Sequence, residues 1–565
     1  MSLFGSIQMA ANTLRAQQIG MQVVGQNIAN VNTPGYIRAE TVLSPAPTQK
    51  VGSLLLGLGV QVTAVVQKID TFLEDRLRAA TSDRASSEAE KDIWLQLEGL
   101  LSELSENDLS TSMNRFFNSI SEVLNQPESA SVRNLAVLAG ETLAGDINRL
   151  ASRAQKLRSD ANDRITGMAS DINRLLEEVR VLNIRITQTE GGDISASDAV
   201  GLRDQRLLAL HRLAELIDVR VEEQPSGATN VFVGGEFLVF EGTARSVEVT
   251  KSGDRGLNIS TIQITQTKSP LPISSGELAG ATTARDDVLG TFLDTLNEFT
   301  ATLIFEFNRV YASGQGLSGY QELTSQYAAT TTSRSLDDAG LPFVPDSGHF
   351  QVLVYNKQTG LTRTTDVPVN LNGLDSDLTL DGLAAILNGI DGLSASVSLE
   401  GRLTIRSDSP EQDFAFREDT SGVLAALGLN TFFVGSTAGD IRVNSVVRSD
   451  PSKFAASQSG IGEDTSNAVL LADFLDRDLA SQNGNSLSVM YVRMIGSVTQ
   501  SSSVAQSVYE GFATYEQTLE GQKLAISGVN LDEEAVRLIT YQYAYQASAR
   551  YISTLSELLS VLVSL

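Results

Sequence analysis

Proline placement constrains this 565-residue chain more than any other feature. All twelve prolines lie between Pro34 and Pro451, and none falls in 48–126, 128–224 or 452–565. An interior proline removes a hydrogen bond and clashes with the preceding turn, at about 3 kcal/mol, so these windows are where long helices can run. In the second window Ile165, Met168, Ile172, Leu175, Val179, Leu182 and Ile186 step by three and four over three heptads, which lays one apolar seam along a helix. If unbroken from about 129 to 186, that helix would be ~85 Å long at 1.5 Å per residue.

Elsewhere the period drops to two. Val219 and Val221, then Val231, Val233, Phe237 and Val239 around Gly234-Gly235, then Ile262 and Ile264, predict strands with a glycine hairpin. Over 276–320 the pattern is helical again, with Val288, Phe292, Leu296, Phe299, Leu303 and Val310 on one face. A second excursion, 321–455, carries short strands near 350–355, 367–371, 395–399 and 403–405 and a helix near 380–387. Because both ends of this excursion return to the helical body, its removal is expected to leave assembly intact. The predicted fold class is multidomain and mainly α: a long helical bundle or coiled coil from both chain ends, with inserted β and α+β domains. The expected domains are a terminal coiled-coil assembly domain (1–82 plus 500–565) and an elongated helical domain (83–219 plus 276–320 plus 456–499). A small β domain (220–275) and an inserted α+β domain (321–455) complete them.

The two ends share a pattern. Leu3, Ile7, Ala10, Leu14, Gln17, Met21, Val24, Ile28 and Val31 keep heptad spacing over four heptads, and Leu538, Tyr541, Tyr545, Ser548, Ile552, Leu555, Leu559 and Leu562 repeat it at the other end. Two such seams are expected to pack together. Charge is nearly absent around them: the first 67 residues hold only Arg15, Arg38, Glu40 and Lys50, and the last 28 only Arg550 and Glu557. A helix facing water usually presents charge. Two arrangements fit, an intramolecular hairpin with a neutral outer face, or an assembly in which paired ends bury that face against copies of themselves.

Composition narrows the function classes. The formal net charge of −26 opposes binding to nucleic acid or anionic lipid, and the absence of cysteine removes disulfides and thiolate chemistry. No apolar run approaches the ~20 residues of a membrane-spanning helix. The amino terminus reaches its first basic residue only at Arg15, so no cleavable signal peptide is expected. No phosphate loop, nucleophile elbow or HExxH pair occurs, and the only histidines are His211 and His349. His211 lies within LLALHRLAEL, where packing or a hydrogen bond is the expected role. Gly57 and Gly59 lack the third glycine of a dinucleotide fold and read as a turn or bulge. No catalytic, cofactor or metal site is predicted.

Asn27 to Arg38, NIANVNTPGYIR, resembles the signature that follows the first helix of the axial proteins of the bacterial flagellum, those of rod, hook and junction. Physically, Asn32 can stop the helix, Pro34 pushes Thr33 to extended geometry, and Gly35 completes a turn before Tyr36. Ser527 to Leu562 resembles the closing helix of the same family, where Asn530 and Glu533 have capping-box spacing, so Asp532 to Glu534 read as a helix start and not a metal site. Met113–Leu150, Asp198–Val221 and Gly276–Gly319 are similar to the hook-filament junction members and not to hook or rod proteins. The resemblance implies a structural, extracellular subunit that self-assembles into a ring or helix between the hook protein and a second junction protein. It also implies export from the cytoplasm, uncleaved, by the flagellar type III route, with a chaperone on the carboxy-terminal helix. A hook or rod protein, or a secreted enzyme with its activity in 321–455, are the other readings.

Overall fold

The computed structural model describes all residues except 1–2, 52, 103–107, 192–195, 374–376, 463 and 565; the side chains of Val51, Ser102 and Leu562 also lie outside it. Helix α1 (Leu3–Ala29) is followed by strands β1 (Ala39–Pro45), β2 (Thr48–Val51), β3 (Leu54–Gly57) and β4 (Val60–Gln67), paired as two antiparallel ribbons, β1 with β4 and β2 with β3. Helices α2 (Thr71–Ser102), α3 (Leu109–Asn125), the 61-residue α4 (Ala130–Glu190) and α5 (Val200–Leu216) come next. Strands β5 (Arg220–Glu223), β6 (Thr229–Val233), β7 (Glu236–Phe240) and β8 (Thr243–Ala244) form one sheet, and β9 (Val247–Asp254) and β10 (Leu257–Ile264) a ribbon. Helix α6 (Glu277–Thr283) passes through a π turn into α7 (Leu289–Ala312).

The region after α7 holds β11 (Glu322–Thr324), β12 (Gly348–Asn356), β13 (Thr362–Val369), α8 (Leu380–Asn388), β14 (Leu393–Val397), β15 (Leu403–Ser407) and β16 (Gln412–Arg417). Two three-stranded antiparallel sheets result, ordered β13-β12-β16 and β11-β15-β14. Short elements α9 (Val423–Leu427), β17 (Phe433–Val434), β18 (Arg442–Val443), α10 (Ser445–Ser449) and α11 (Ser466–Ala472) lead to α12 (Leu487–Ser527) and α13 (Leu531–Ser564). The chain is thus mainly helical and multidomain, with several small sheets.

Two compact units are present. The first comprises Met1–Ile93, Ser159–Asp287 and Ser503–Leu565. In its core the seven seam residues of α4 from Ile165 to Ile186 are all buried, and most of them pack with Leu210, Val231, Leu238 and Ile264. The β6–β7 turn is a two-residue hairpin because Gly234 and Gly235 take φ of 53° and 91°, a left-handed pair that side chains oppose.

The second unit comprises Trp94–Arg158 and Val288–Ser502. Phe432 and Phe433 lie 5.3 and 5.4 Å from Phe116 and 5.7 and 5.5 Å from Phe307, ring centre to ring centre. Buried Asn308 on α7 accepts from the amides of Phe432 and Phe433 at 3.0 and 3.1 Å and donates to the Phe433 carbonyl at 2.8 Å. The end of the 321–455 stretch is therefore built into the packing of α3 and α7. Removal of the stretch, expected to leave assembly intact, would uncover these rings.

Candidate assembly interface

Helices α1 and α13 pair in an antiparallel sense, with Asn27 against Glu534 and Gly20 against Tyr541. The line that α1 buries is one of small residues, Ser6, Ala10, Ala16, Gly20, Val23, Val24 and Asn27. At Gly20 a β-carbon would lie 2.8 Å from the Tyr541 ring, so glycine is what lets that ring lie on the α1 backbone. The long apolar residues predicted for the interface border this line: Leu3, Ile7, Leu14, Met21, Ile28 and Val31 are half-buried, and Val24 is buried. On α13, Leu555 is buried and Leu538, Tyr541, Ile552 and Leu559 are half-buried. Tyr545 is exposed, and Ala544 takes the inward place; the Leu562 side chain lies outside the described residues.

A second apolar stripe, unread in the sequence, runs along the outer face of α13. Val536, Ile539, Tyr543, Leu558 and Val561 are 49 to 69% exposed, and steps of three or four, with one of fifteen between Tyr543 and Leu558, put them on one side of the helix, away from α1. Phe4 on α1, Leu54 and Leu55 on β3 and Phe72 on α2 are also exposed.

Where the two ends meet, a polar network fixes their register. Asn27 is fully buried, donating from Nδ2 to the Ala39 carbonyl and to Glu534 Oε2, both at 3.0 Å. Its Oδ1 accepts from the Ala39 amide at 3.0 Å and the Tyr36 hydroxyl at 2.8 Å. Arg38 spans Glu533 and Glu534 at 3.1 and 2.9 Å, and its amide donates to the Ser527 carbonyl at 3.0 Å. Asn530 caps α13, accepting from the amides of Asp532 and Glu533 at 3.0 and 3.4 Å. The acidic run is thus a helix start, but Glu533 pairs with Arg38 and does not complete a capping box.

The signature turn lies just before this network. Helix α1 ends at Ala29, ahead of Asn32, and it is Asn30 that closes it, through Nδ2 to the Gln26 carbonyl at 2.9 Å and Oδ1 from the Thr33 hydroxyl at 3.2 Å. Thr33 to Tyr36 form a β-turn closed by the Tyr36 amide at 3.2 Å, with Pro34 and Gly35 central and Gly35 at φ 77°. Asn32, Thr33, Pro34 and Gly35 are exposed, and Tyr36 is half-buried. Burial, followed by the charges of Asp204 and Glu534, pushes the Tyr36 hydroxyl up to about 12.

The turn leans on α5. Asp204 Oδ1 accepts from the Ile37 amide at 3.2 Å and the Gln67 side chain at 2.6 Å, yet burial outweighs both and pushes its carboxyl up to about 6. Further along α5, His211 Nε2 lies 2.9 Å from buried Glu74, whose other oxygen is 2.9 Å from the Lys523 ammonium on α12. Burial alone would raise the Glu74 carboxyl; these partners hold it below its ordinary value. His211 therefore lies against the Glu74–Lys523 ion pair, in a polar cluster joining α2, α5 and α12. Gly59, at φ 86°, sits where a β-carbon would be 2.8 Å from the Met9 carbonyl, so it brings the ribbons against α1.

Residues 94–324 match the family described as flagellar hook-associated protein FlgK helical domain. Residues 7–36 match the flagella basal body rod protein family, and 520–565 the flagellar basal body rod FlgEFG protein C-terminal family. Along its whole length the chain is 24% identical to flagellar hook-associated protein 1 of Bacillus subtilis, spanning 98% of that protein. It is also 24% identical to that of Escherichia coli, over 99% of each. The chain belongs to the FlgK family of hook-associated flagellar proteins. The two rod-type matches of this FlgK-family chain fall on the two halves of the network, one holding Asn27 and Tyr36, the other Glu534. The flagellar hook junction protein FlgK from Burkholderia pseudomallei aligns with a TM-score of 0.49 at 15% identity, covering 80% of this chain and 100% of that one.

Proposed function

We propose that this FlgK-family subunit forms the junction between hook and filament, joining its neighbours through the outer faces of the α1/α13 pair. The observation that carries this reading is the outer stripe of α13. Large apolar side chains exposed along a helix that carries only Arg550 and Glu557 beyond its first two turns are suited to burial against other protein. The antiparallel pair would act as a two-helix coiled-coil unit, repeated in a ring or helix with the hook protein on one side and a second junction protein on the other. Contacts to different proteins above and below must be heterologous and not two-fold. Before assembly the same stripe needs cover, which is the role proposed for an export chaperone on α13.

The test is Tyr543→Asp or Leu558→Asp. Both side chains are exposed, so the subunit should fold as before, while a carboxylate placed in the proposed interface costs several kcal/mol once buried. Electron microscopy should show hooks without attached filaments. Normal filaments on cells carrying both substitutions would refute the interface. Export without cleavage is proposed because α1 supplies the buried half of the pair. Mass spectrometry of the secreted subunit should find residues 3–29 retained, and loss of fifteen to thirty residues would exclude this route.

A further inference from the structure

One cleft and one protrusion of the first unit are left unused by the contacts described so far. The cleft, of about 700 Å³, lies between the signature turn and α5. Pro34, Tyr36, Val65, Val200 and Leu208 give it an apolar lining, and Asp204 stands in it. Both hydrogen bonds to Asp204 reach Oδ1 from neutral donors, and no cation pairs with this carboxylate among the described residues. What the site lacks is an apolar group that carries a positive charge.

The β2–β3 ribbon offers that combination. Lys50 and Leu55 are directly opposite in the register, so their side chains share one face. Leu54 and Leu55 are 66 and 70% exposed, and Lys50 is exposed with no acidic partner among the described residues. A two-stranded tip is narrow enough to enter a cleft of this size, whereas Arg15, the other exposed cation of the first 67 residues, sits on the side of a helix. The exposure of Leu54 and Leu55 also means that the ribbon tip does not occupy its own cleft.

We propose that the β2–β3 tip of one subunit docks in the turn–α5 cleft of the next, with Leu55 against the apolar lining and Lys50 paired to Asp204. The occupant is a second copy of this chain, and the proposal rests on the self-assembly reading given above. Tip and cleft are different patches, so the contact is head-to-tail and propagates around a ring or along a helix.

The chain has no cysteine, which makes a cross-linking test direct. Leu55→Cys and Gln205→Cys, the latter exposed at the cleft rim, are introduced into separate full-length chains and co-expressed in a motile strain. Mild oxidation of isolated hooks and filaments should give a disulfide-linked pair of chains when both variants are present, and none with either alone. Filament-bearing hooks without that pair would overturn the docking while leaving the junction reading intact. If the unsubstituted subunit were absent from hooks, the junction reading would fall and the docking with it. Capture of a chain of different mass by a photo-reactive residue at 205 would show another occupant and also overturn the proposal. Lys50→Glu, at an exposed site where folding is unaffected, should lower incorporation at least tenfold; unchanged incorporation would remove the Lys50–Asp204 pairing.

Discussion

Asp204 shows how a single side chain carries the strain of placing the signature turn against α5. Its folded carboxyl is raised to about 6, so between about pH 4 and 6 the folded chain holds a proton that the unfolded chain has released. The stability associated with this group is therefore present below about pH 4 and lost as pH rises through about 6. Asp204→Asn keeps an acceptor for Ile37 and Gln67 without the charge. It should raise thermal stability at pH 7 to 8 by ~1 kcal/mol after solvent screening, a shift of a few degrees, and make no difference below about pH 4. Thermal melts of both proteins across that range check the sign; a variant less stable at pH 8 would refute it. Asn27 has the opposite character, since its donors and acceptor are all used inside the protein and it has no charge to desolvate. None of its partnerships is visible in a local sequence pattern, because Glu534 lies 507 residues away. The turn motif around it was legible; the reason for the asparagine was not.

At the scale of elements, the α1/α13 pair depends on the absence of a side chain at Gly20. Gly20→Val should force the Tyr541 ring away and destabilise the pair by about 1–3 kcal/mol, as overpacking does. Tyr541→Ala in the same chain should restore much of the loss, and hydrogen exchange over 3–29 and 531–564 in the four chains of that cycle measures the coupling. Independent, additive effects would show that the two residues do not share the contact. Long regular periods were the legible part of the fold: the α4 seam, the glycine hairpin and the helix at 380–388 all formed where their spacing placed them. The ribbons between α1 and α2 were missed. Freedom from proline permits a helix without requiring one, and the alternation Val60, Val62, Ala64, Val66 was the signal for β4. The outer stripe of α13 was missed for another reason. One seam accounts for a paired helix, so a second period on the same residues went unread until exposure separated the two faces.

For the molecule as a whole, the packing of the second unit argues against the expectation that 321–455 can be removed without loss of assembly. Deleting 321–455 removes Phe432 and Phe433 and uncovers Phe116 and Phe307, all of them buried. Burial of one such ring stabilises by about 1.5–3 kcal/mol, so the shortened chain should accumulate as insoluble or protease-sensitive protein and give hooks without filaments. A soluble, motile deletion strain would show that the unit tolerates the loss. The first unit sets a different condition, one of timing. Its end-to-end pair joins residues from the opening and closing thirty-odd positions of the chain, so no partner for α1 exists until the final helix is present. A subunit interrupted between α12 and α13 would have nothing to lay against Gly20 and Asn27. On the assembly proposed above, competence to join neighbours arises only once α13 has been made and laid against α1, and a chain lacking that helix is excluded without any separate inspection step.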